Sequence, residues 1–355
     1  RGALMRKFPI FLLVDVSESM AGDGLVQLEN GMRAIVSDLM QDPHALENVW
    51  MSVIAFAGRP RTLVPLTELA EFVPPHLPIG AGTDLAAALV HLMDEIDRGV
   101  QSGTSERKGD WRPLVFLLTD GVPTTDTAAA LARWRKNYAG RVSLVAVSIG
   151  GGADDTVLRD LAEDVLSLDD TVDGSFRRFI TWITDSVKSA TRSVTAGAGI
   201  SLAKLDDDLA GQRPGALPYR DVDDRFAVFT AKCSKTGAPY IVKYERHLGR
   251  FQTDDPKLRE LFRTRSYALQ VAIPVQGDYF EMSGGTAPSA NVSSTELIGQ
   301  PSCPHCGARY GMAVCSCGGI HCINGDGEAT CPWCGKTGYY SMGTGEGFAI
   351  TRGQG

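Results

Sequence analysis

No run of apolar residues in this sequence approaches the roughly 20 that a helix needs to cross a bilayer, so no membrane contact is expected. An excess of basic residues is also missing. The 35 Lys and Arg stand against 42 Asp and Glu, a formal net charge of −7, which argues against non-specific nucleic-acid binding by the chain as a whole. No secretory leader is legible. Basic residues do precede an apolar run in RGALMRKFPIFLLVDVSESM, but the run is short, meets Asp15 directly and leads to no small-residue cleavage site. It reads instead as a first β-strand, with Arg1–Leu4 an addition ahead of a native start at Met5. There is no GxxxxGKS/T phosphate loop, no nucleophile elbow with acid and histidine in hydrolase order, and no solenoid-type repeat. The compartment these absences point to is the cytoplasm, where thiols stay reduced.

What is present is an ordinary globular composition, 43% hydrophobic and 22% charged, over 355 residues, which suggests two domains or three small ones. Up to about residue 195 the pattern alternates between strand and helix. FPIFLLVD, NVWMSVIAFA, RPLVFLLTD, RVSLVAVSIG and VLSLDD are strand-like, and RTLVPLTEL reads as an edge strand because it contains a proline. Between them Leu25, Leu28, Met32, Val36 and Leu39, then Leu85, Leu89, Leu92 and Ile96, recur at helical spacing. DTAAALARWRKNY and DDTVLRDLAE are also helical, and Phe176, Phe179, Ile183 and Val187 mark a last helix. The class is α/β, with a doubly wound, mostly parallel sheet. Residues 196–222 read as a linker rich in Gly, Pro and Asp. Residues 223–298 form a β-rich segment with a hairpin RFAVFTAKC–SKTG–PYIVKYERH, a helical turn at DPKLRELFRT and a strand YALQVAIPV, and residues 299–345 a cysteine-rich tail.

Two of the apolar strands end in aspartate, Asp15 and Asp120. In an open α/β sheet the carboxyl ends of parallel strands share one rim, where ligands bind. Ser17 and Ser19 follow Asp15, and PIGAGTDLAAAL places Thr83 at a helix N-terminus. Two carboxylates and three hydroxyls converging on one rim make an all-oxygen site, which suits Mg²⁺ or Mn²⁺. Neutral hydroxyls leave such an ion under-compensated, with affinity for one more anionic oxygen. Taken singly the residues have blander readings: Thr83-Asp84 as a helix cap, Asp120-Gly121 as a turn.

Together, DVSES, GAGTD and LLTDG resemble the metal-ion-dependent adhesion site (MIDAS) of von Willebrand factor A domains, with all five ligand positions present across roughly residues 6–195. An aspartyl-nucleophile phosphohydrolase is the enzymatic alternative. It usually needs a second Asp where this chain has Ser17, and a phosphate-binding lysine that the sequence does not identify.

Of the eight cysteines, Cys233 stands alone and reads as a core thiol, while the rest crowd between Cys303 and Cys334. Two Cys-Pro-x-Cys-Gly turns supply Cys303, Cys306, Cys331 and Cys334, the pattern of a zinc ribbon and a closed structural Zn²⁺ site. Rubredoxin-like iron also suits four thiolates. Cys315, Cys317 and Cys322, with His305 and His321 nearby, either hold a second zinc, exchange with the first set, or are spare. A tail so glycine-rich cannot bury enough apolar area to order itself, and metal supplies what the core lacks.

A MIDAS domain followed by a β-rich segment and a cysteine-rich tail is similar to the TerY-like proteins of bacterial tellurite-resistance and stress systems. The resemblance implies a TerY-C metal-binding domain and a non-enzymatic scaffold or phosphorylation target in a complex with a protein kinase and a PP2C-type phosphatase. The ligand of the rim-bound ion would be an acidic or phosphorylated side chain of a partner. Thr124 and Thr125 are phosphorylatable candidates near the rim, though any exposed threonine competes. A zinc-ribbon nucleic-acid adaptor is the third reading, weakened by the few basic residues of the tail, Arg309, Lys336 and Arg352.

Overall fold

The computed structural model describes residues 6–104, 108–149, 155–162, 164–168, 175–195, 225–247, 266–284, 290–341 and 347–353. The linker expected at 196–222 and the helical turn expected at DPKLRELFRT lie outside the described residues. The chain divides into two compact units, within Arg1–Arg220 and Asp221–Gly355.

In the first unit every residue of β1 (Phe8–Asp15) is buried, as a continuous apolar run requires of a strand covered on both faces. It lies in the middle of a sheet ordered β3-β2-β1-β4-β5-β6. The other strands are β2 (Val49–Phe56), β3 (Pro60–Glu68), β4 (Leu114–Thr119), β5 (Ser143–Ile149) and β6 (Asp164–Leu168). All neighbours are parallel except β2 and β3, and proline-containing β3 sits at the edge, where a missing N–H is tolerated.

Helices cover both faces. Phe11, Leu13, Val115 and Leu117 join one core with Leu85, Leu89 and Leu92 of α3 (Leu85–Gly99), Leu131 and Trp134 of α4 (Ala128–Asn137), and Leu158 of α5 (Asp155–Leu161). On the opposite face Phe116 meets Trp182 of α6 (Ser175–Thr195) edge-on, with centroids 6.2 Å apart. α1 (Asp23–Leu39) packs on α6, closely enough that a Cβ at Gly31 would lie 2.5 Å from Ile180 Cδ1. The short α2 (Pro43–Asn48) is too brief for a hydrophobic period to reveal. It is set by Asp42, which accepts from His44 N at 3.0 Å and Ala45 N at 3.1 Å, and by Pro43 at its first position.

The second unit is built on a six-stranded sheet ordered β11-β9-β8-β7-β13-β12. Its strands are β7 (Phe226–Lys232), β8 (Pro239–His247), β9 (Ser266–Pro274), β11 (Leu297–Ile298), β12 (Tyr310–Val314) and β13 (Ile320–Ile323). The expected β7–β8 hairpin forms, and α7 (Asp278–Met282) follows β9. β10 (Ala290–Ser293) pairs with β16 (Ala349–Arg352), and β14 (Gly327–Thr330) with β15 (Thr337–Tyr340). The division expected at 298/299 therefore cuts through one sheet: β13 from the cysteine-rich tail pairs in parallel with β7 from the β-rich segment. The unit also continues past residue 345, because Gly353 N donates to Val228 O at 2.8 Å. The apolar core common to both segments includes Phe229, Tyr240, Tyr244 and Ile320.

Candidate metal centres

β1 and β4 are adjacent and parallel, with Val14 opposite Leu118, so both chains leave the sheet at the same rim. This is also where the strand order reverses, the place at which open α/β sheets open a crevice. Asp15 and Asp120 sit there, and both are buried. The Gly-rich segment before α3 is drawn in by a parallel bridge between Ser17 and Gly80, with Gly80 N donating to Val16 O at 3.0 Å. That contact brings in Thr83, buried like Ser17 and Ser19.

Four of the five residues form one hydrogen-bonded chain, and Thr83 stands beside it. Ser17 N donates to Asp15 Oδ1 at 2.9 Å, the Ser17 and Ser19 hydroxyls lie 2.8 Å apart, and Ser19 Oγ donates to Asp120 Oδ1 at 2.7 Å. The Thr83 hydroxyl lies close to Gly121, on the same side as Asp15 Oδ2. A Cβ at position 121 would stand 3.3 Å from Thr83 Oγ1 and 3.7 Å from Asp15 Oδ2. Thr119, which the sequence reading passed over, donates its hydroxyl to Asp15 Oδ2 at 2.6 Å and accepts from Gly121 N at 3.2 Å. Position 119 is the last residue of β4, directly before the acid.

Burial, and next the nearby Asp120 charge, push the Asp15 carboxyl up to about 7, against the hydrogen bonds from Thr119 and Ser17. Two carboxylates held together in a dry rim resist ionising, and a cation between them reverses that balance. The donor set is entirely oxygen, so the residues fit a hard divalent ion.

Thr124, one of the phosphorylatable candidates, is buried, and its hydroxyl accepts from Thr83 N at 3.0 Å while its own N–H donates to Thr83 O at 2.9 Å. Thr125 is partly exposed and donates to Asp84 Oδ1 at 2.7 Å.

In the second unit the thiols form two tetrads, Cys233 with Cys303, Cys306 and Cys322, and Cys315 with Cys317, Cys331 and Cys334. In each, all sulfurs lie within 4.8 Å of one another. A tetrahedral zinc with bonds of about 2.3 Å has sulfur–sulfur edges of about 3.8 Å. The separations are 3.7 Å for Cys306–Cys322, 3.8 Å for Cys315–Cys334 and 3.8 Å for Cys317–Cys331. Both tetrads fit that metal in ligand type, number and spacing.

This corrects the ribbon reading. Cys303, Cys306, Cys331 and Cys334 do not share a site, because the two Cys-Pro-x-Cys turns sit at different places. The first turn lies against the β7–β8 turn, and the second against the turn that precedes β13. Cys322 completes the first tetrad from β13, whose register, His321 opposite Lys232, carries it alongside Cys233. Neither histidine belongs to a tetrad. His305 Nε2 lies 2.9 Å from Pro239 O, and His321 Nδ1 lies 2.9 Å from Ser234 Oγ, with its ring edge-on to Tyr340.

Cys233, which the sequence alone reads as a core thiol, is thus a member of the first tetrad. A signal was there. Cys233-Ser-Lys-Thr-Gly237 repeats the knuckle of Cys303–Gly307 and Cys331–Gly335 with Thr236 in place of the second cysteine. In all three the glycine has φ near 72°, at 72°, 71° and 72°, which favours glycine. In all three the glycine N–H donates to the first cysteine's carbonyl, at 2.8, 2.9 and 2.9 Å. Burial opposes ionisation of Cys233, but hydrogen bonds from Thr236, Lys235 and Cys306 outweigh it and pull the thiol down to about 6. Cys303 beside it is pushed up to about 12, chiefly by burial. Burial of the set thus opposes full ionisation, which a bound cation would favour.

Residues 10–170 match the family model of the von Willebrand factor type A domain, and residues 223–355 match that of the TerY-C metal binding domain. Inter-alpha-trypsin inhibitor heavy chain H6 of Homo sapiens is 28% identical over 168 residues, 44% of this chain and 12% of that protein. A von Willebrand factor type A protein from Catenulispora acidiphila is similar over 52% of this chain and 43% of that one, at 17% identity and a TM-score of 0.41. Proximal thread matrix protein 1 from the mussel byssus, with a zinc-occupied MIDAS motif, is similar over 53% of this chain and 46% of that one, at 19% identity and a TM-score of 0.35. This chain thus spans a small part of the curated relative and under half of these solved chains. Among the described residues no helix is long and apolar enough to cross a membrane.

Proposed function

Taking the chain as a von Willebrand factor type A domain joined to a TerY-C metal binding domain, we propose that it is a non-catalytic binding module. Asp15, Ser17, Ser19, Thr83 and Asp120 hold Mg²⁺, or Mn²⁺, at the rim and present it to an acidic or phosphorylated side chain of a partner protein. Each thiol tetrad holds a structural Zn²⁺ that fixes the second unit. The setting is a cytoplasmic phosphorylation complex with a protein kinase and a PP2C-type phosphatase, as the resemblance to TerY-like proteins implies.

The observation that carries the reading is the continuous buried chain of hydrogen bonds from Asp15 through Ser17 and Ser19 to Asp120. Polar groups this costly to bury persist where they serve a ligand or a structural network. Two of the five are neutral serines on the DxSxS segment, which leaves a bound divalent ion attractive to an outside anion. When bound, the ion supplies an electrophilic position. The chain's own residues hold the carboxylates in register and keep the rim dry from below.

The test is capture of partners from a native extract with and without Mg²⁺, the zinc content being checked in both arms. Divalent-dependent capture that Asp15→Ala and Thr83→Ala each weaken, with the fold intact by circular dichroism, is the expected result. Undiminished capture by both variants in excess chelator, with zinc retained, would defeat the proposal.

A further inference from the structure

We infer that Thr124 is a positioning residue that sets which divalent ion the rim accepts, by fixing Thr83 at a set distance from Asp120. The inference rests on the rim being a divalent site. The oxygens there come from three segments, and two of the three connections between segments are plain. Thr119 and Ser19 tie the β1 segment to the β4 segment through Asp15 and Asp120, at 2.6 and 2.7 Å. Backbone bonds at Gly80 tie the β1 segment to the pre-α3 segment.

Thr83, however, stands beyond Gly80 along Ala81 and Gly82, and Gly82 has φ of 85°. A stretch with two glycines is conformationally soft. The residues flanking Thr83 are held to the segment after β2, where Gly58 N donates to Ala81 O and Asp84 N to Ala57 O, both at 2.8 Å. The third connection, to the β4 side, is made to the backbone of Thr83 itself, and one residue makes it. Thr124 engages both backbone groups of Thr83, accepting from its N–H at 3.0 Å and donating to its carbonyl at 2.9 Å. The next pair repeats the pattern, with Thr125 Oγ1 donating to Asp84 Oδ1 at 2.7 Å. That same oxygen accepts from Ala87 N at 2.9 Å and so caps α3. Two consecutive threonines are thus zipped to Thr83-Asp84. Thr124 is joined to Asp120 through Gly121, Val122 and Pro123, the last a residue of fixed φ. The Thr83–Asp120 span becomes a rigid dimension.

Rigid dimensions discriminate between ions. Mg²⁺ demands near-ideal octahedral geometry at about 2.0–2.1 Å, whereas Ca²⁺ accepts 6–8 oxygens at about 2.3–2.6 Å in flexible arrangements. A clamp that holds Thr83 favours the smaller ion, and releasing it loosens the rim toward the larger one. Thr124→Val keeps the shape and the backbone bond but removes the acceptor for Thr83 N–H.

Calorimetric titration of the full chain with MgCl₂ alone and with CaCl₂ alone tests this. Thr124→Val is expected to lower Mg²⁺ affinity about tenfold, the scale of one lost hydrogen bond, and Ca²⁺ affinity by less, so the Mg²⁺/Ca²⁺ ratio falls. Thr124→Ser, which keeps the hydroxyl, is expected to keep the wild-type ratio, and Thr125→Val to shift it in the same direction as Thr124→Val.

A Thr124→Val protein with an unchanged ratio overturns the inference even if both affinities drop together, since that is what a merely structural role would give. If Thr124→Val does not fold, Thr125→Val decides, and an unchanged ratio there overturns it equally. A wild-type chain that binds neither ion overturns the metal reading of the rim and the inference with it.

Discussion

Replacing Cys233 by serine separates two accounts of one buried residue. If Cys233 is only a core thiol, the change puts a hydroxyl where a thiol was. The cost is then the burial of an imperfectly paired polar group, about 1–3 kcal/mol. If it is one of four zinc ligands, the change removes a thiolate from a site inside the hydrophobic core, where Cys233 is 0%, Cys303 2% and Cys322 2% exposed. A structural zinc in small peptides binds with about 10–16 kcal/mol of apparent free energy at neutral pH, against a whole-domain stability of about 5–15 kcal/mol. Losing even a third of that term is several kcal/mol. At roughly 4 °C per kcal/mol for a domain of this size, the melting midpoint of the second unit should fall by more than about 10 °C. Elemental analysis by mass spectrometry should at the same time find one zinc per chain instead of two. A serine variant that keeps two zincs and melts within a few degrees of wild type would refute the ligand assignment.

The second tetrad is the more accessible, since Cys317 and Cys334 are exposed while three of the four thiols in the first are buried. A chelator with a coloured zinc complex should therefore draw out one zinc quickly and one slowly, with Cys317→Ser removing only the fast phase; one common rate would contradict this. At Gly319 a Cβ would stand 2.5 Å from Trp333 Cδ1, and Trp333 Nε1 donates to Ile320 O at 2.7 Å. Gly319→Ala should thus cost about 1–3 kcal/mol through overpacking, read by denaturant titration, and a variant as stable as wild type would dispute the packing. Burial and the neighbouring Asp120 charge raise the Asp15 carboxyl from its ordinary 3.8 to about 7. The stability linked to it is full below the ordinary value and is lost as pH rises through the raised one. The melting point in Mg²⁺-free buffer with zinc retained should fall steadily from about pH 5 and level off above about pH 7, and saturating Mg²⁺ should remove most of the fall. A profile unaffected by Mg²⁺ would count against the coupling.

Much of the first unit was legible because its signals are local. FPIFLLVD and RPLVFLLTD are continuous apolar runs, and such runs belong in the middle of a parallel sheet, where β1 and β4 lie. Pro65 marked β3 as an edge strand. The three rim segments were legible too, since a strand end followed by acid and hydroxyls has no structural necessity. α2 was missed because six residues carry no period, although Asp42-Pro43 is a recognisable cap and first position. Thr119 and Thr124 were not legible as positioning groups, because their partners are distant in sequence and set only by packing.

The second unit was less legible for a physical reason. Cysteine spacing shows which thiols lie close along the chain, but which knuckles face each other depends on strand pairing. Parallel pairing of β13 with β7 brings Cys322 to Cys233 across a long separation, and no local spacing encodes that. The same pairing erased the expected boundary between the β-rich segment and the tail.

Whether the rim of the first sheet holds one divalent cation is read directly with Mn²⁺, because its free form gives a resolved electron paramagnetic resonance spectrum that weakens on binding. Titrating the zinc-loaded full chain with Mn²⁺ should show one Mn²⁺ taken up per chain, displaced by excess Mg²⁺ and absent in Asp15→Ala. A wild-type chain that takes up none, or an Asp15→Ala chain that takes up one with unchanged affinity, would contradict the account.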